Sequence, residues 1–255
     1  MQRLRMAISL VVTLMLLSAY SASTPAPEDK VNMGSMTVAD LEKAGDAARA
    51  QKDYAKAIQY FQTALARDRK NSVLYNKLGL AELQRGDMRT ARQDFEKAVK
   101  HNPKFAQAVS NIGAVDYFNK KYGSAEKSFK KAVALDETNP SFHINLGAVW
   151  FAQNKLDRAI AEYSRAVELD PYALQQDSRS GVTAQISTPE ERAKYSYMLA
   201  KIYAKRGDVD NCLHCLKQAK DEGYRNLANV YKEDDFSKMW QDPRLHEVVP
   251  PPTPK

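Results

Sequence analysis

Cys212-Leu213-His214-Cys215 gathers the chain's only two cysteines around a histidine. A C-x-x-C spacing is used for thiol–disulfide exchange, for half of a zinc site, or for haem attachment. Haem attachment needs a histidine immediately after the second cysteine, and Leu216 stands there. A four-ligand zinc site needs a second pair of ligands, and the remaining histidines, His101, His143 and His246, are scattered without such spacing. A redox or metal module on Cys212 and Cys215 is therefore one reading, and a local disulfide is open to an exported chain. The other is packing, because a free cysteine makes a good small buried side chain. No glycine-rich phosphate loop, serine elbow or placed pair of acids accompanies the motif. The expectation is a protein that is not an enzyme and holds no cofactor or metal.

The positions around the cysteines belong to a wider pattern. Gly45, Gly79, Gly113 and Gly147 stand 34 residues apart, and so do Ala57, Ala91, Ala125 and Ala159. Ala64, Ala98, Ala132 and Ala166 keep that step, with an aromatic at Phe61, Phe95, Phe129 and Tyr163. A fixed period of this length is the mark of a repeat architecture. Each unit reads as two amphipathic helices joined by a short polar turn, such as Gln84-Arg-Gly-Asp87. Small residues are expected where the two backbones nearly touch, since a larger side chain would cost roughly 1–3 kcal/mol of overpacking. The aromatic is expected to fill the space between one unit and the next. Asn, Asp or Pro at each unit's end, as in His101-Asn-Pro103, stops the second helix.

Composition agrees with helices. The 255 residues are 44% hydrophobic with ten glycines and eleven prolines, too polar for a multi-span membrane protein. Arg3 and Arg5 precede an uncharged, mostly apolar run from Met6 to Ala19, followed by small residues. That order describes a secretory signal peptide over residues 1–21, cleaved near Ala19-Tyr20-Ser21. An uncleaved anchor is the alternative, but the run falls short of the roughly twenty residues that span a bilayer. Localisation is thus expected to be exported, periplasmic or secreted. Without Arg3 and Arg5, 36 basic residues face 31 acidic ones, with no concentrated basic block. Nucleic acid is not an expected partner.

The stride with Leu-Gly, Ala, aromatic, Ala and Pro resembles the tetratricopeptide (TPR) repeat. The resemblance covers four consecutive units: 38–71, 72–105, 106–139 and 140–173. Pro103 and Pro171 take the family's terminal proline position, whereas Arg69 and Glu137 replace it in units one and three. A fifth unit fits at 193–226, with Cys212 for the first alanine and Leu216 for the aromatic, after an insertion at 174–192. Thr188-Pro189-Glu190-Glu191 closes that insertion as a capping box, starting a helix near Pro189. Residues 227–249 resemble the helical ending of such arrays, with Phe236, Met239, Trp240 and Leu245 covering the last core face. Residues 22–37 read as a linker and 250–255 as a Pro-rich tail. The implied fold is an all-α superhelical solenoid of antiparallel helix pairs with a C-terminal cap.

The resemblance also implies a concave groove, lined by the first helix of each unit, that binds a partner. Its lining is assigned to Asn76, Lys77 and Leu80 with Leu83 in unit two, and to Asn111, Tyr117 and Phe118 in unit three. Unit four adds Ile144, Asn145 and Phe151; unit five adds Lys194, Tyr197 and Lys201. Asn111 and Asn145 match a place where the family hydrogen-bonds a peptide backbone. The aromatics add apolar area there or belong to the inter-helix core, and the lysines favour an acidic end on the ligand. Family members that clamp a C-terminal carboxylate use Lys and Asn on the first unit, but Glu42 and Asp46 stand there. The expected partner is a peptide or helix segment of another protein, held by a scaffold or assembly factor of the cell envelope or secreted space.

Overall fold

The computed structural model describes residues 33–174 and 188–251. The chain divides into two compact units, Met1–Thr37 and Val38–Lys255. Of the first, the described part is a turn at 33–35 followed by two irregular residues. The expected signal peptide, most of the linker, the centre of the insertion and the end of the tail lie outside the described residues.

The second unit is all helix among its described residues. First helices start at Val38, Ser72, Ala106 and Pro140: α1 (Val38–Ala50), α3 (Ser72–Arg85), α5 (Ala106–Phe118) and α7 (Pro140–Ala152). Second helices start at Tyr54, Met88, Tyr122 and Leu156: α2 (Tyr54–Arg67), α4 (Met88–His101), α6 (Tyr122–Leu135) and α8 (Leu156–Leu169). Both series advance by the 34 residues read from the sequence. A fifth pair, α9 (Pro189–Arg206) and α10 (Val209–Asp221), precedes two short 3-10 turns, Leu227–Tyr231 and Asp234–Met239, and α11 (Pro243–Val248).

Local chemistry sets these boundaries. Each of the four regular units ends its second helix on Asp68, Asn102, Asp136 or Asp170, whose N–H donates to Ala64, Ala98, Ala132 or Ala166. Inside each pair the chain reverses through a left-handed residue: Lys52, Gly86, Lys120, Asn154 and Gly207, with φ of 63°, 101°, 57°, 60° and 78°. Asp53, Asp87 and Asp208 then cap the second helix through their side chains. Lys121 and Lys155 occupy the same place and make no capping bond. At α9, Thr188 and Glu191 form the reciprocal capping box with Pro189 in the first turn.

The aromatics face the next unit and also the glycines of their own. Each ring lies over the glycine of its own unit, while Tyr163 also meets Tyr195 of the fifth pair and Phe95 shares an apolar cluster with Val115 of the third unit. A Cβ on Gly45 would sit 2.5 Å from Phe61 Cε1, on Gly79 2.7 Å from Phe95 Cε1, and on Gly113 2.8 Å from Phe129 Cε1. At Gly147 the nearest Tyr163 atoms are 3.1 Å away. The glycine is thus the receptacle for a fully buried ring. Backbone proximity contributes at Gly79, where Ala91 O would lie 3.0 Å from the added carbon.

The C-terminal segment closes the stack. Val230, Phe236, Met239 and Leu245 are fully buried and join one apolar cluster with Tyr197, Tyr203, Cys212 and Leu216. Trp240 is half-buried and donates its indole N–H to Val230 O at 2.7 Å. Helix α7 differs from its neighbours: its sequence contains no Asp, Glu, Lys or Arg, and every residue from Ser141 to Phe151 is buried. A helix that is apolar nearly all round belongs inside.

Candidate functional site

The first helices of successive units stand side by side, tied by polar rungs that recur at one register. Lys77 of α3 reaches back to Glu42 at 2.6 Å and Asp46 at 2.5 Å on α1. Asn111 Nδ2 of α5 donates to Asn76 Oδ1 of α3 at 2.9 Å. Asn145 Nδ2 of α7 donates to Ser110 Oγ of α5 at 3.1 Å. Lys77, Asn111 and Asn145 are equivalent positions, as are Glu42, Asn76 and Ser110. The ladder runs from an ion triad through an amide pair to an amide–hydroxyl pair.

Burial decides what these groups can do. Asn111 is 0% exposed and Asn145 4%, so both amides are spent first on neighbouring units. A buried polar group without a partner is costly, and each rung removes that cost. Burial works against charge on Lys77, yet hydrogen bonds and attraction from Asp46 and Glu42 outweigh it and its pKa is raised. Glu42 and Asp46, the acids at the clamp positions, therefore hold a lysine of the same chain.

The apolar lining groups into two patches. Leu80 and Leu83 are half-buried against Ala91, Phe95 and Val115. Tyr117 and Phe118 are half-buried at the end of α5, with ring centroids 6.2 Å apart, and Tyr117 meets Tyr122 at 5.5 Å. Burial pushes the Tyr117 phenol up to about 12, so it stays a neutral donor. Ile144 and Phe151 are buried on α7. Phe151 meets Tyr195 edge-on at 5.6 Å, and Tyr195 meets Tyr163 at 5.5 Å. Tyr195 thereby bridges the fourth and fifth pairs. Sequence reasoning missed it: its matching place is Phe142 in unit four but Ala108 in unit three and Leu74 in unit two, so no aromatic recurs there from unit to unit.

The fifth pair presents less free charge than its sequence suggests. Lys201 Nζ lies 2.9 Å from Glu233 and 3.2 Å from Asp235, both in the C-terminal segment. Lys194 is partly exposed and bonds Asn154. Tyr197 is buried, stacked on Tyr224 at 4.3 Å and tilted against Phe236 at 5.6 Å. It belongs to the seal between α9 and the C-terminal segment.

Family comparison addresses the same helices. Tetratricopeptide-repeat models match residues 48–110 and 115–173. The chain is a tetratricopeptide-repeat protein. Among solved structures, PilF of Pseudomonas aeruginosa is 17% identical, with 84% of this chain and 92% of that one covered at a TM-score of 0.55. A thermophilic TPR protein of Thermus thermophilus is 18% identical, with coverage of 80% and 99% and a TM-score of 0.51. MamA from Desulfovibrio magneticus RS-1 is 18% identical, with coverage of 72% and 94% and a TM-score of 0.51. At these identities the likeness is one of fold. No curated protein sequence matches the chain.

In this TPR protein the C-x-x-C cysteines are helix-packing residues. Cys212 and Cys215 are free thiols, 0% and 5% exposed on α10. Burial pushes both up to about 12, which keeps them as protonated thiols in the free chain. Among the described residues no group of three His, Cys, Asp or Glu side chains is placed to hold a metal ion. No described helix is long and apolar enough to cross a membrane. The TPR fold is a protein-interaction scaffold, a stack whose inner faces form one extended surface.

Proposed function

We propose that this TPR protein is an exported scaffold or assembly factor that holds a peptide or helix segment of a partner protein along the inner faces of its first helices. The rung ladder is the observation that carries this reading. By locking α1, α3, α5 and α7 side by side, it sets Leu80, Leu83, Tyr117 and Phe118 along one surface, each only half-buried. These side chains supply apolar contact area. Lys194, partly exposed at the α9 end, supplies positive charge for an acidic residue of the partner.

Asn111 and Asn145 set the spacing of the groove in this account. For either amide to grip a peptide backbone, a rung worth about 1 kcal/mol would first have to break. The partner's own hydrogen bonds must exceed that cost, so the apolar contacts lead. Export is supported by Arg3, Arg5 and the apolar run that follows them, and places the partner in the envelope or the secreted space.

The test is capture from an envelope extract with a Leu83→Glu/Phe118→Ser variant beside the wild type. The partner should be lost while far-UV circular dichroism and the melting midpoint stay close to wild type. Equal capture by a folded variant contradicts groove binding. The mass of the protein recovered from the envelope tests export, with loss of about twenty residues expected.

A further inference from the structure

His143 sits on α7 with 5% of its surface exposed and both ring nitrogens aimed at acceptors. Nδ1 lies 2.6 Å from Glu162 Oε2 on α8, and Nε2 lies 3.0 Å from the main-chain carbonyl of Glu137, in the link from α6 to α7. A neutral imidazole carries one N–H and could satisfy only one of these acceptors; its other lone pair would then face an oxygen. The imidazolium donates to both. We propose that His143 is a proton-operated clasp between the third and fourth units: charged, it fastens α7 to α8 and to the preceding link, and its deprotonation releases one of those two attachments.

The surroundings define the sign. From α8 the ring meets Glu162, which favours the charged form, and Arg165, which opposes it but is paired with Glu168 at 3.1 Å. From the link it meets the Glu137 carbonyl, which also favours the charge. Helix α5 offers α7 the uncharged Ser110. The charged pair of α6, Lys130 and Glu126, gathers near Trp150, two turns further along α7. The hydrogen bond to Glu162 outweighs the cost of burial, and the pKa of His143 is raised above its ordinary 6.5. A histidine whose folded pKa is raised adds stability that is fully present below the unfolded value. That stability is lost as pH rises through the folded value. The clasp is therefore closed in mild acid and opens across neutral to mildly alkaline pH. The segment it frees, the first turns of α7, carries Ile144 and Asn145 of the inner face.

Nitrogen-detected NMR on the intact folded chain reads the ring directly. Both nitrogens should be protonated at about pH 6, with a midpoint above 6.5. Glu162→Gln, which keeps an acceptor but removes the charge, should move that midpoint down. Amide exchange at Phe142–Asn145 should accelerate above the wild-type midpoint. Denaturation between about pH 5 and 8 should show a loss of stability with rising pH that His143→Gln lacks. A single N–H tautomer at pH 6, a midpoint at or below 6.5, or no movement in Glu162→Gln would each overturn the clasp. The NMR titration and Glu162→Gln decide the matter even if His143→Gln fails to fold.

Discussion

Gly45 and Phe61 show how single residues set the stack. The ring occupies the volume where any other residue would place its Cβ, with 2.5 Å left at Gly45 and 3.1 Å at Gly147. Alanine at Gly45 must push a fully buried phenylalanine, at roughly 1–3 kcal/mol. Helix propensity returns about 1 kcal/mol for glycine to alanine in a helix interior. The two terms nearly cancel where the contact is loosest. Gly45→Ala should therefore lose about 1–2 kcal/mol in urea denaturation, whereas Gly147→Ala should stay within about 0.5 kcal/mol of wild type. Equal losses at both sites would show that ring contact does not set the cost. The sequence marked these residues as a set through their spacing. It could not show that the ring also packs onto the glycine of its own unit, because spacing does not encode side-chain direction.

At the scale of the helix, start and stop signals were legible where side chains make them. Thr188, Glu191 and Pro189 predict the start of α9, and the Asp and Asn residues at the unit ends coincide with helix termini. The exceptions are informative. Lys121 precedes α6 with φ −84° and ψ 60°, close to the −82° and 73° of Asp53 and the −88° and 77° of Asp87. Its backbone is already shaped for a capping side chain that lysine lacks. Lys121→Asp should raise the stability of the chain by about 0.5–1.5 kcal/mol, read as a higher urea midpoint at unchanged slope. A lower midpoint would show that Lys121 has a role beyond the cap. The buried polar rungs were less legible. Asn76, Asn111 and Asn145 read as ligand-facing amides because their partners lie about one full repeat away, and which positions face each other across units depends on how the stack turns.

The whole array converts a local stride into a continuous surface. Four units of one length place the first helices at one register, so that a rung can repeat and an inner face can form. The fifth pair departs from that regularity: its start is delayed by the insertion and α9 runs eighteen residues. Its lysine Lys201 is matched by acids of the C-terminal segment, which could not be foreseen because those acids lie more than thirty residues downstream. The solenoid architecture was thus readable from periodicity. The division of the inner face into groups committed to the chain and groups left for a partner emerged only from three-dimensional pairing.

Site-specific photo-crosslinking in the native compartment tests the groove most directly. A photoreactive residue at Leu83 or Phe118, on the inner face, should yield a covalent adduct with one partner protein. The same residue at the exposed Gln59 on α2 or Lys127 on α6 should yield none. Adducts formed from α2 and α6 but not from Leu83 and Phe118 would contradict the account.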